Sequence, residues 1–369
     1  MAPRKKDVVA TSSPQKSSAD VAKEPPPKTL VERIPLPARL MLVVISSLAL
    51  SSTLFTLTSR VTLGELRFVS KHLEEWWEVW GLVAWKAVEV GLAWVLGFDG
   101  ELHISSYRFI IGRSWSNDLV IGRDVLDFFF LTNLPTYMLL ASFYGLRPTT
   151  ILASFGIVLF STSVPFVLLR KPSLVHNLSR AHPAAVSNRS ILQDWGITIY
   201  TTVLATAIYT VTLYLSYETW LPAKLVVHFE KLPSISKVHA GPAGLPLLFA
   251  SLLPAGWAAR DFLFVSSTGT PASQDGNVEK AESSASKHGE YLVCAIYRKT
   301  WGTLSRRTRV LASRTVVLAA VTMINTFIQV AGTIRGASFE GASAWGFVWT
   351  LGTFIVGSVY LWIEAVDGL

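Results

Sequence analysis

The sequence predicts an all-α polytopic transmembrane helical bundle of eight spans, with N- and C-termini cytoplasmic. Three observations predict it. Of 369 residues 50% are apolar and only 16% charged, where a soluble domain carries about 25% charged residues. The apolar residues gather into runs of membrane length, giving a mean hydropathy of +0.41. Finally, Lys and Arg concentrate between alternate runs, the asymmetry that orients membrane proteins.

Residues 1–37 read as a disordered basic cytoplasmic tail. They contain PRKK, Ser-Ser pairs and PPP, a composition too polar to bury a core. The first apolar run begins near Leu40, too far along for a secretory leader, so none is expected. Arg4, Lys5 and Lys6 resemble an import cluster, a pattern common in cytosolic tails. The transmembrane region then runs over 38–259.

A spanning helix needs about 20 apolar residues to cross roughly 30 Å of hydrocarbon. Segments 40–59, 149–169, 195–217 and 343–363 satisfy this directly. Segment 315–334 does so despite Asn325 and Gln329, and 125–146 despite Asp127 and a kinking Pro135. Segment 242–259 holds Pro242, Pro246 and Pro254 and is expected to be kinked or re-entrant. The remaining candidate, 76–98, lies in EEWWEVWGLVAWKAVEVGLAWVLGF and contains Glu78, Lys86 and Glu89.

Loop charge decides that segment. If it spans, the N-terminal side receives eight Lys and Arg from the tail, three from 99–124, four from 170–194 and nine from 260–314, 24 in all. The opposite side receives eight. If it only lies on the surface, the tally becomes 13 against 20. The eight-helix arrangement fits the positive-inside rule.

At about 100° per residue, Glu78, Leu82, Lys86 and Glu89 fall within an arc of about 80°. That stripe must face the bundle interior, because a lone charge at mid-bilayer costs at least ~2.5–3.5 kcal/mol. Lys86 and Glu89, three apart, can neutralise each other. Two further polar ladders are expected inside. Thr198, Thr202, Thr206 and Thr210 step by four along one span, and Thr322, Asn325 and Gln329 share a face of another. In lipid such groups join helices, although a threonine often bonds its own i−4 carbonyl.

The cytoplasmic loop 260–314 divides into a disordered insert, 266–289, and a basic interfacial helix, 290–310. Arg298, Lys299, Arg306, Arg307, Arg309 and Arg314 are its expected anionic-lipid-binding residues, each worth about 1 kcal/mol near an anionic leaflet. Residues 315–369 hold the last two spans and a short tail. In 110–124, Ile-Gly-Arg occurs twice, reading as turns at the membrane face with Arg113 and Arg123 on headgroups.

Motifs for chemistry are sparse. His72, His103, His176, His182, His228, His239 and His288 all fall outside the expected spans and none pairs with another at i,i+3 or i,i+4. No metal site, catalytic residue or cofactor is therefore expected. GASAWG at 341–346 has a serine without a histidine base, and there is no phosphate-binding loop. Cys294 is the one cysteine, so no internal disulfide can form. The net charge of +8 follows the loops, which argues for membrane orientation rather than nucleic acid.

The reading is a non-enzymatic scaffold, assembly or membrane-organising factor of the endoplasmic reticulum or another endomembrane. Its expected partners are the lipid bilayer, anionic lipid headgroups and other membrane proteins. A carrier or channel using the intramembrane polar residues Glu78, Lys86, Glu89, Thr202, Asn325 and Gln329 is the alternative, followed by a lipid-modifying enzyme.

Overall fold

The computed structural model describes residues 34–96, 123–169, 194–230, 232–233, 238–265 and 304–367. The N-tail, the 110–122 repeat, the 266–289 insert and residues 290–303 lie outside them. Among the described residues the chain is all-helical, with isolated bridges in place of strands. The helices are α1 (Leu36–Leu57), α2 (Ser59–Val69), α3 (Trp76–Val95), α4 (Arg123–Phe143) and α5 (Pro148–Leu169). Then follow α6 (Trp195–Glu218), α7 (Leu221–His228), α8 (Leu245–Ala259), α9 (Arg306–Thr333) and α10 (Phe339–Asp367).

Seven of the described helical segments are long and apolar enough to cross a membrane: Leu36–Leu57, Asp124–Phe143, Pro148–Leu169, Trp195–Glu218, Gly241–Val265, Arg307–Thr333 and Phe339–Val366. Helix α3 is 20 residues long but carries Glu78, Lys86 and Glu89. At about 1.5 Å per residue it is nevertheless about 30 Å long. It runs antiparallel to α9: Lys71 N–H donates to the Thr333 carbonyl (2.7 Å), Leu82 packs on Gly332, and Trp85 meets Asn325. Near its other end Trp94 packs on Phe166 of α5. It thus runs through the bundle alongside its neighbours.

Call the face where α1, α4, α6 and α9 begin the near face, and the opposite one the far face. Helix α4 is the centre, with 67% of its apolar window buried, whereas α1, at 11%, is peripheral. Helices α9 and α10 form the most extensive antiparallel pair. Helices α6 and α8 approach closely at Gly256, where a Cβ would sit 2.0 Å from Thr206 Oγ1. Small residues allow such contact between membrane helices.

Three elements depart from the expected outline. The proline-rich segment is a 3-10 stretch (Val238–Gly244) broken at Gly241, then α8 with Pro254 inside, then a π turn (Arg260–Val265). It is kinked, and by length and composition it is long and apolar enough to cross a membrane. Helix α9 begins at Arg306, capped by Ser305 Oγ accepting from Thr308 N–H (3.1 Å). Arg307, Arg309 and Arg314 therefore belong to a helix long and apolar enough to cross a membrane. The short α2 and α7 cover the far face, where four backbone hydrogen bonds stitch 69–71 and 228–230 to the α9–α10 turn.

Candidate functional site

A polar cluster lies at mid-depth between α3, α4 and α9. Lys86 Nζ and Glu89 Oε2 form an ion pair at 2.9 Å, with the Glu89 side chain fully buried. Glu89 Oε1 also accepts from Thr132 Oγ1 (3.1 Å) and, at the limit of bonding, Asn133 Nδ2 (3.5 Å). Lys86 Nζ lies 4.6 Å from the centre of the Phe129 ring, a cation–π contact. From α9, Gln329 Nε2 donates to Asn133 Oδ1 (2.6 Å) and Asn325 Oδ1 (3.0 Å), and Trp85 Nε1 donates to Asn325 Oδ1 (2.9 Å).

Asn325 also ties α9 to α4. Pro135 has no N–H, which leaves the Leu131 carbonyl of α4 without its helical donor. Asn325 Nδ2 donates to the next carbonyl along, that of Thr132 (2.9 Å), just before the proline. Trp345 Nε1 of α10 donates to the Pro135 carbonyl itself (2.8 Å).

The structure therefore brings together four of the six expected polar residues: Lys86, Glu89, Asn325 and Gln329. Glu78 is apart, paired to Lys71 at the far face (2.6 Å). Thr202 is apart on α6, where Thr198, Thr202, Thr206 and Thr210 each donate to the i−4 carbonyl at 2.7–2.9 Å. Trp85, Thr132 and Asn133 were not anticipated. The signal for the last two was their place one turn before Pro135.

A second cluster, also unanticipated, closes the near face. Arg260 Nη1 pairs with Asp261 (2.7 Å) and Nη2 donates to Thr198 Oγ1 (2.9 Å), both charged side chains being buried. Arg314 Nη2 pairs with Asp124 (2.9 Å) while Nη1 donates to the Phe262 carbonyl (3.0 Å). Arg307 approaches Glu364 (3.9 Å), and Arg309 Nε donates to the Leu304 carbonyl (2.9 Å). The guanidinium groups at 307, 309 and 314 thus have partners within the protein. Arg298 and Lys299 lie outside the described residues, as does the Arg306 side chain.

No group of His, Cys, Asp and Glu among the described residues is arranged to hold a metal ion. Residues 194–328 match the family described as the Bouquet formation protein 3 C-terminal domain. That stretch runs from the cap of α6 to within α9 and covers less than half of the chain. Comparisons with curated proteins and with solved structures give no match. The match and the apolar helices fit a membrane-associated organising role.

Proposed function

We propose that the chain is a non-enzymatic multi-pass endomembrane protein that organises other membrane proteins, with eight spans and both termini cytoplasmic. The observation that carries this reading is the mutual bonding of the charged and amide side chains in the mid-depth cluster. Lys86 and Glu89 bond to each other, and their surroundings on α4 and α9 are bonded across the same three helices. A network of this kind, with its charged and amide groups engaged across three helices, serves to join those helices.

The eighth span is supported by the depth α3 covers and by aromatic residues at two levels. Trp76, Trp77 and Trp80 are exposed toward the far face, and Trp195, Tyr200 and Trp362 toward the near face. Exposed Trp and Tyr at both ends of a bundle fit the two membrane interfaces. The family's name, bouquet formation, supports an organising role, for which we propose the endoplasmic reticulum or another endomembrane as the location.

Two measurements on the full chain test the reading. Cross-linking in native membranes followed by mass spectrometry is expected to recover stable, stoichiometric protein partners. Purified protein in liposomes is expected to pass no solute faster than empty liposomes do. Flux that disappears in an Asn325→Leu variant of undiminished stability would replace the organiser with a carrier.

A further inference from the structure

A cleft of about 340 Å³ on the far face belongs to neither polar cluster. It lies between α2, the turn after α4 and the stitched segments, and is lined by Glu65, Phe68, Tyr144, Leu146, Glu230 and Arg335 among others. Its volume falls at the lower end for small-molecule sites.

The charges around it are arranged unusually. Glu65 is already neutralised, accepting from Arg147 N–H and pairing with Arg147 Nε, both at 3.0 Å. Arg335 and Glu230 are both exposed, and neither side chain forms an ion pair or hydrogen bond among the described residues. They are held close, because Glu230 N–H donates to the Gly336 carbonyl (2.8 Å). Gly336 permits the approach: its φ is +75°, and a Cβ there would lie 2.7 Å from the Glu230 Cβ. A cation and an anion thus line one cleft without satisfying each other.

A second observation points to a ligand. Tyr144 lines the same cleft and is only 9% exposed, yet its hydroxyl has no hydrogen-bond partner among the described residues. Buried hydroxyls are normally bonded, and leaving one unbonded is costly.

We propose that this cleft binds a zwitterionic phosphoethanolamine group, presented by phosphatidylethanolamine in the far-face leaflet. Arg335 donates to the phosphate oxygens, a geometry suited to the planar guanidinium. Tyr144, whose hydroxyl is covered in the ligand-free structure, donates to the same phosphate once its side chain turns toward the cleft. Glu230 accepts from the primary ammonium. Phe68, 84% exposed at the rim, is placed against the acyl chains. A quaternary ammonium has no N–H for Glu230, and an anionic headgroup without an amine brings that carboxylate no cation. The site therefore discriminates among leaflet phospholipids. The inference rests on the membrane reading only for the source of the ligand.

The test uses the full chain, purified in detergent and incubated with equal amounts of phosphatidylethanolamine, phosphatidylcholine and phosphatidylglycerol. Native mass spectrometry then counts the lipid retained. The wild type is expected to hold phosphatidylethanolamine about tenfold over either competitor. Glu230→Gln, at an exposed position, is expected to abolish that preference, and Arg335→Gln, equally exposed, to lower retention of all three lipids, neither changing the melting temperature of the lipid-free protein. Tyr144→Phe keeps the buried ring and should weaken retention.

Equal retention of the three lipids by the wild type, or unchanged preference in the double variant Glu230→Gln/Arg335→Gln, overturns the proposal. Free phosphoethanolamine supplies the remaining arm. Stabilisation by it of the wild type but not of the double variant supports the headgroup contacts. Stabilisation without any retention of the lipid overturns the membrane source.

Discussion

Replacing Lys86 by Leu should destabilise the bundle more than replacing Lys86 and Glu89 by Leu together. The single change leaves a fully buried carboxylate facing Thr132 at 3.1 Å and Asn133 at 3.5 Å, two neutral donors in place of a cation at 2.9 Å. Breaking one partner of a buried pair costs ~3–5 kcal/mol. Lys86 is 22% exposed along its side chain, so the lower end, about 3 kcal/mol, applies. The double change removes both charges. Thr132 Oγ1 and Asn133 Nδ2 still reach the Phe129 carbonyl, at 3.4 and 2.9 Å, so neither is left without an acceptor. Apolar replacement of a buried pair is often neutral or better, and a loss within about 1 kcal/mol of the wild type is expected. Thermal unfolding of detergent-purified protein, followed by tryptophan fluorescence, should rank the wild type and double variant close together and the single variant several degrees below. A double variant as unstable as the single one would refute the reasoning, because the pair's worth would then lie elsewhere than in mutual neutralisation.

Three further outcomes are expected. Gly256→Ala places a Cβ 2.0 Å from Thr206 Oγ1 and 2.7 Å from the Thr202 carbonyl, and overpacking of about 1–3 kcal/mol should lower the melting temperature. Arg314→Leu removes the guanidinium 2.9 Å from the buried Asp124 carboxylate and should lower stability by up to about 3 kcal/mol in the same assay, with Arg314→Lys losing less because it keeps the charge but not the fork. For topology, the sequons at Asn177 and Asn188 should stay unmodified in a glycosylation-shift gel, while one engineered into a lengthened 218–241 loop gains glycan. Glycan on either native site would remove α3 from the spans.

Much of the helical outline was legible because hydrocarbon thickness imposes a length on apolar runs, and α1, α5 and α6 follow that length closely. Helices α9 and α10 exceed it. A hydropathy window registers only the part in hydrocarbon, while the backbone hydrogen-bond ladder continues through Arg306–Arg314 and out to Asp367. Helices α2 and α7, of 11 and 8 residues, fall below any spanning length and so left no comparable signal. Within the site, the Lys86–Glu89 pair was legible from spacing alone, since both partners share one helix. The groups that answer it were not. Asn325 and Gln329 could be assigned a face but not a partner, and Trp85 looks like one more lipid-facing aromatic. The near-face cluster escaped for a different reason: Arg260 and Asp261 sit where a span gives way to a charged loop, and such residues ordinarily face water. Only the packing of α4, α6 and α9 around them takes them out of it.

The boundaries of the family match acquire a physical meaning from these ties. Residues 194–328 contain Arg260, Asp261 and Thr198, which bond to one another inside the matched stretch. Other bonds leave it. Arg314 closes on Asp124 of α4, Asn325 bonds Trp85 of α3 and the Thr132 carbonyl of α4, and Tyr209 shares a hydrogen bond with Thr353 of α10 (3.1 Å). Cutting the chain at its edges would strand an Arg, an Asn and a Tyr that are buried or nearly so, and would remove α10, the helix α9 packs against most extensively. In lipid, where water cannot replace the missing partners, each stranded group costs more than its bond contributes to stability. The matched stretch is therefore a part of one continuous bundle, and it is expected to hold its fold only with α3, α4 and α10 present.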